Sequence, residues 1–370
     1  MRKILLVVAC AVVISGVVHG LAISKIIPWH IGYSDTAGFF ERVSQPGFPY
    51  IDILMEYPVL IGVLVGVIGK ISSTQTIYFI LNVIVLLGFA LGTTYYLWRL
   101  VPEQNRDRLM WFWALAPSML WFSVFNWDLM AIFFSVLAFY CIHLKRDRWA
   151  AAWIAFGFSA KFFPILFLVP LLIRQRDMKE VFRLIFIFVA LAFLINGYFM
   201  LFHFDNWSYF FELNRIREPN TDSIWNVMRS LLYPMFEKEN LAFFNSASFL
   251  GFLVTFTWIM RKFRAADTLK LCFASVLVFL LFNKIFSPQY ILWLLPFLTL
   301  YPVFSRRKFY MLEAANLGAL FTVLILFFVD RSPAYFYWNM FFVVLRHVLL
   351  IILFVSLVQL LSQKEKLTRR

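Results

Sequence analysis

Uninterrupted apolar runs constrain this chain more than any other feature. The stretches Ile4–Val18 and Leu184–Phe202 carry no charge and do not alternate polar with apolar residues. Runs of this kind match the ~20 apolar residues of a transmembrane helix. A transmembrane barrel would show strict alternation and is excluded. Apolar residues make up 62% of the 370, against about 45–50% in soluble domains. Charged residues make up 15%, against about 25%. Soluble, disordered and collagen-like chains are therefore excluded, and a single integral membrane domain over residues 1–370 is expected. Spans are read at about 4–24, 77–98, 109–123, 129–144, 149–160, 162–173, 184–202, 241–260, 266–282, 289–304, 309–329 and 340–361. The predicted fold class is an all-α polytopic bundle of about 12 transmembrane helices, plus one short non-spanning helix and an outward-facing cavity. Cys10, Cys141 and Cys272 all lie in apolar runs, so neither a disulfide framework nor a thiolate metal site follows. Cys10 is too near Met1 for a cleaved signal peptide, and the first run reads as an uncleaved span.

The formal net charge of +14 does not mark a nucleic-acid binder, because the positions of the charges assign it elsewhere. Seven hydrophilic stretches, at 2–3, 99–108, 145–148, 174–183, 261–264, 306–308 and 364–370, hold 22 of the 34 Lys and Arg residues. The positive-inside rule puts all seven in the cytoplasm, where they also match anionic lipid. Both termini are then cytoplasmic. The apolar piece Tyr57–Ile71 would invert every later loop if it crossed, so it reads as a helix that enters and does not span. The outer face receives the first loop, residues 25–56, and the longest loop, residues 203–240. It collects 12 of the 20 carboxylates, Glu237 and Glu239 among them. Within the longest loop, 207–213 and 224–232 read as interfacial amphipathic helices.

Charges at membrane depth are costly and need a reason. Asp128, Lys161 and Lys284 each sit in a tight outward turn flanked by apolar runs. A lone lysine can snorkel to the headgroups, whereas an aspartate on one methylene cannot reach far. One acid and two lysines recessed on one face therefore suggest a polar cavity opening outward. The first outer loop adds Asp35, Asp52 and Glu56. A carboxylate against an apolar wall can have its pKa raised and act as a base. The plainer reading of Asp35, or of Ser34, is the cap of a helix over 36–44. For Glu56 it is an interfacial carboxylate before a helix opened by Pro58. No HExxH, Walker loop, GxGxxG before a helix or GxSxG is present.

Five strings carry a resemblance: Tyr33-Ser34-Asp35, Pro49-Tyr50 with Glu56-Tyr57-Pro58, Asn126-Trp127-Asp128-Leu129, Ala160-Lys161-Phe162-Phe163-Pro164, and Asn283 through Trp293. In this order they resemble the GT-C membrane glycosyltransferases that use a polyprenyl-phosphate sugar. The resemblance is greatest to glycosyltransferase family 87, the polyprenyl-phosphate-mannose-dependent mannosyltransferases. It implies a sugar, mannose in this family, passed from a polyprenyl-phosphate donor to a hydroxyl of a glycolipid or glycan acceptor at the outer face of the cell membrane. Asp35 matches the catalytic first-loop acid of the superfamily. Many relatives carry a second acid two residues later; here that residue is Ala37, so no metal site, essential divalent ion or other cofactor is expected. Such a reaction needs a base for the acceptor hydroxyl and cations for the departing phosphate. Asp35 is the expected base. Lys161, Lys284 and Arg229 are the expected cations, with Asp128, Glu56, Asp52, Tyr57, Gln289 and Tyr290 completing the donor and substrate site. Trp29, Trp127, Trp225 and Tyr290 are candidates to stack on sugar faces. A lipid-linked glycan flippase would also need recessed charges, whereas the recessed lysines speak against a structural lipid-binding subunit. The transporter reading lacks the matching Gly/Pro-broken spans of repeated halves.

Overall fold

The computed structural model describes residues 1–232 and 241–368. Glu237 and Glu239 of the longest loop, and Arg369 and Arg370 of the last basic stretch, lie outside them. Among the described residues the structure is helical, with no strand and one isolated bridge between Pro49 and Ile53. The longer helices are α1 (Arg2–Ile23), α2 (Val59–Ile71), α3 (Gln75–Leu100), α4 (Asp128–His143), α5 (Asp147–Ala160), α6 (Met178–Phe202), α7 (Phe204–Ile216), α8 (Ile224–Leu232), α9 (Leu241–Lys262), α10 (Thr268–Phe282), α11 (Arg306–Phe328) and α12 (Pro333–Thr368). Six of them, α1, α3, α6, α9, α11 and α12, are long and apolar enough to cross a membrane. The chain is a polytopic helical membrane protein.

Three of the expected spans are not continuous helices. The stretch 109–123 is a π-helix over Met110–Ala114, then a break and a short helix over Pro117–Phe122. The stretch 162–173 is a 3-10 turn over Phe163–Phe167 followed by Leu168–Ile173. The stretch 289–304 is a 3-10 turn over Pro288–Trp293, then Leu295–Leu300, ending in extended backbone at Tyr301. Proline marks the breaks at Pro117, Pro288 and Pro302, whose predecessors Ala116, Ser287 and Tyr301 are extended: it removes a backbone donor and disfavours helical geometry before it. Ala116, before Pro117, is extended at ψ 128. Side-chain caps start the helices that leave the basic loops. Asp177 accepts from the Lys179 N–H, Asp267 from Lys270 and Ser305 from Lys308.

Two rows of helices form. In one, α1 packs on α3, α3 on α4, α4 on α5 and α5 on α6; in the other, α9 packs on α10, α10 on α12 and α12 on α11. The segment Pro288–Trp293 touches α4, α11 and the Pro117–Phe122 helix, so it lies at the seam. The core is aromatic, with Trp113, Trp127, Phe139, Phe167, Phe273 and Phe297 fully buried. Two of its indoles are paired: Trp127 Nε1 donates to Asn82 at 2.7 Å and Trp113 Nε1 to Thr94 at 2.8 Å.

The connecting segments fall into two sets. The basic ones hold one another, through Arg174–Asp147, Arg148–Glu180, Arg306–Asp107 and the Tyr301 hydroxyl on Asp267. The others gather around the turns at residues 24–58, 161–163, 203–223 and 283–287. Helix α2 belongs wholly to this second set. Its Gly62, Gly66 and Gly69 face Tyr50, Pro49 and Val43 of the first loop, and Lys70 near its C-terminus donates to the Gln45 carbonyl. Gln75, at the start of α3, donates to the Ala37 carbonyl at 3.0 Å.

Candidate active site

A cavity of about 750 Å³ opens among these turns. One wall comes from the first loop: Tyr33, Asp35, Arg42, Glu56 and Tyr57. The facing wall comes from α7, α9 and the 283–293 segment: Asn214, Arg217, Asn245, Lys284, Gln289 and Tyr290. Lys161 and an apolar edge of Phe162, Phe210 and Phe211 complete it.

Asp35 is half-buried on this wall and does not cap a helix. Its carboxylate accepts the Tyr33 hydroxyl at 2.8 Å and the Tyr57 hydroxyl at 3.0 Å. Ser34 stands at the N-terminal position of the one-turn helix Asp35–Gly38, without a side-chain cap bond. Its hydroxyl goes instead to the carbonyls of Val124 and Phe125, at 3.2 and 3.1 Å. The helix expected over 36–44 is two short turns, Asp35–Gly38 and Phe40–Val43. Burial pushes the Asp35 carboxyl above its ordinary range, while the two phenol donors and the Lys161 charge pull the other way. Both phenols are pushed upward, Tyr33 first by the Asp35 charge and Tyr57 first by burial, so they remain donors.

Seven of the ten sequence-derived site residues line the cavity: Asp35, Glu56, Tyr57, Lys161, Lys284, Gln289 and Tyr290. Three do not. Asp52 closes its own turn, accepting the Phe48 N–H at 2.8 Å, in a loop where Gly47 and Tyr50 adopt positive φ. Arg229 pairs with Glu218 at 2.8 Å. Asp128 is fully buried, at the first turn of α4, and is the counterion of Lys161. Its second oxygen has no hydrogen-bond partner among the described residues.

The lysines themselves differ from the expectation of two open phosphate ligands. The Lys161 ammonium is paired with Asp128 and boxed by aromatic rings, 5.4 Å from Tyr57, 5.4 Å from Tyr290 and 5.8 Å from Trp293. Lys284 donates to the backbone carbonyls of Arg215 and Arg217 at the end of α7. Burial, aided by the neighbouring Arg217 charge, pushes its ammonium below the ordinary lysine range. Of the aromatics proposed for stacking, Trp127 is spent on Asn82 and Trp225 on the Phe282 carbonyl at 2.7 Å. Trp29 packs on Tyr33 and does not line the cavity. Tyr290 does line it, stacked on Trp293 at 4.1 Å.

Sequence reasoning missed Tyr33 as a carboxylate donor, the Arg42–Glu56 pair at 3.0 Å, and Arg217 with its neighbours Asn214 and Asn245. The first had a signal, since a tyrosine two residues from an acid can reach it. Arg42, Asn214 and Arg217 sit in polar stretches that look like solvated surface, and Asn245 is a single amide inside an apolar run. Among the described residues no group of three or more His, Cys, Asp or Glu could hold a metal ion.

Fold and site together define an integral membrane protein with a polar, carboxylate-bearing chamber among its helices. The chain belongs to glycosyltransferase family 87, whose family model matches residues 56–288, more than half of the sequence. The matched stretch takes in Tyr57, Asp128, Lys161, Arg217 and Lys284; Asp35 precedes it. The chain is also 27% identical over 202 residues to GPI mannosyltransferase 1 of Kluyveromyces lactis, covering 50% of this chain and 49% of that relative. It thus spans about half the length of the curated relative it matches.

Proposed function

We propose that the protein transfers a hexose, mannose by analogy with the relative's name, from a polyprenyl-phosphate donor to a hydroxyl of a glycolipid or glycan. The carrying observation is a half-buried carboxylate, held by two phenols, on the wall of a cavity that also presents cations and an apolar edge. Asp35 takes the proton of the acceptor hydroxyl. The acceptor oxygen bonds to the sugar's anomeric carbon, and the carbon–oxygen bond to the phosphate breaks. The lipid phosphate leaves with the electron pair. The upward push on the Asp35 carboxyl suits a base, which must bind a proton and yet be ionised before reaction. The site lies on the outer face, with both termini cytoplasmic and α2 not crossing. Support comes from the separation of acidic cavity turns from mutually paired basic turns. In this topology the shorter apolar helices and the proline-broken segments cross together with the six long helices, to a total of twelve.

Asp35→Asn is the test. The variant keeps size and accepts one phenol bond but cannot take a proton. Sugar transfer by purified protein in detergent should fall by roughly 10²–10⁴, the usual worth of general base catalysis. Binding of polyprenyl phosphate should be unchanged. Transfer at the wild-type rate would remove Asp35 from the chemistry. A wild-type protein that transfers no sugar in detergent would point instead to a flippase, which needs a sealed membrane to be scored.

A further inference from the structure

A departing lipid phosphate needs a positive charge free to meet it, and the cavity holds four candidates. Lys161 is neutralised by Asp128. Arg42 gives both terminal nitrogens to Glu56, at 3.0 and 3.1 Å. The Lys284 ammonium is turned onto two backbone carbonyls. Arg217 is different. Among the described residues no carboxylate lies within ion-pair distance of its guanidinium, and its side chain is exposed on the cavity wall. It lies one turn beyond Leu213 and Asn214, both on the same wall, where α7 ends and the backbone turns extended. The Phe210 and Phe211 rings form the apolar edge just before it.

We infer that Arg217 is the residue that grips the phosphate of the lipid donor, and that Lys284 positions it. This rests on the donor class proposed above. The arrangement follows the order of parts in such a donor. The lipid chain runs over Phe162, Phe210 and Phe211, the phosphate meets Arg217, and the sugar extends towards Asp35. A guanidinium presents a planar fork of donors that matches two phosphate oxygens, which a point ammonium does not. Lys284 serves indirectly. By donating to the carbonyls of residues 215 and 217 it pins the end of α7 to the 283–287 turn, and so fixes the direction in which Arg217 leaves the backbone. The Asn220 N–H on the Lys284 carbonyl, at 3.2 Å, closes the same connection from the other side.

The experiment compares equilibrium binding of polyprenyl phosphate and of polyprenol of equal chain length to purified protein in detergent. Wild type should prefer the phosphate. Arg217→Ala should weaken phosphate binding roughly ten- to a hundredfold, the worth of one charge-assisted contact, and leave polyprenol binding unchanged. Arg217→Lys should recover part of the loss, and Arg217→Gln almost none. Lys284→Met should also weaken phosphate binding but lower the thermal midpoint, which Arg217→Ala, at an exposed site, should not. Wild-type phosphate affinity in Arg217→Ala and Arg217→Gln, with the preference over polyprenol intact, would overturn the assignment and leave the donor class standing. A wild-type protein with no preference for the phosphate would overturn the donor class and this assignment with it.

Discussion

The Asp128–Lys161 pair offers a quantitative test, because its two members are buried to different depths. Asp128 is 0% exposed and Lys161 13%, and one Asp128 oxygen has no partner among the described residues. Removing one member of a buried pair costs about 3–5 kcal/mol, since the other is left uncompensated. Lys161→Met strands a carboxylate with no route to water and should fall near ~5 kcal/mol. Asp128→Asn strands an ammonium on the cavity wall, where water can reach it and three aromatic faces remain, and should fall near ~3 kcal/mol. Removing both charges leaves neither penalty, so of the roughly 8 kcal/mol that additive losses would sum to, the double variant should recover more than about 5 kcal/mol. Thermal unfolding in detergent should then rank Lys161→Met lowest, Asp128→Asn next and the double variant above both. Sugar transfer should not return with stability, because the Lys161 charge also acts on Asp35. Additive losses would refute the pair as a structural unit. A double variant with wild-type transfer would refute any part for the Lys161 charge in the site.

Two further outcomes are expected. Reporters fused after Lys308 and within the described part of the 203–240 loop should read cytoplasmic and external respectively; an external reading after Lys308 would reverse the orientation of the site. Burial pushes the Asp222 carboxyl up to about 6, opposed by the Arg346 charge. Between the ordinary carboxylate range of about 4 and that value, the folded protein binds more protons than the unfolded chain, so stability falls as pH rises through this window. Asp222→Asn should flatten that slope in unfolding midpoints measured from about pH 4 to 7, and an unchanged slope would assign it to another group.

How much of this was legible in the sequence depends on what burial charges for. The cost of placing an ion at membrane depth is a local property, so Lys161, Lys284 and Asp128 could be singled out from their apolar flanks alone. The offset is not local. Asp128 answers Lys161 from 33 residues away, and Lys284 is answered by two carbonyls 67 and 69 residues distant, groups that every residue carries and no pattern marks. Arg217 was hidden for the opposite reason. In a loop with Asp205, Glu212, Arg215 and Glu218 it reads as one solvated charge among many, and only the fold shows that it faces the cavity with no counterion among the described residues. Helix lengths were misread where proline interrupts an apolar run, as at Pro117 and Pro288, because hydropathy is indifferent to the missing backbone donor.

The short helix α2 ties the fold to the chemistry most directly. Its glycines at 62, 66 and 69 form one bare face, and a Cβ on any of them would run into the first loop. At Gly62 the obstacle is the ring of Tyr50, which sits at φ 66 and lies against Phe199 at 5.1 Å. Its hydroxyl donates to the Tyr57 carbonyl at 2.7 Å. Tyr57 in turn packs edge-on against Phe39 and Trp127 and places its own hydroxyl on Asp35. Tyr33 reaches the same carboxylate from the α1 side of the loop. The proposed base is therefore held from both ends of a single loop, and the close approach of α2 brings those ends together. The glycine face of α2 keeps the first loop against the helix, with Tyr57 and Asp35 on one wall and the start of α3 bonded to the Ala37 carbonyl.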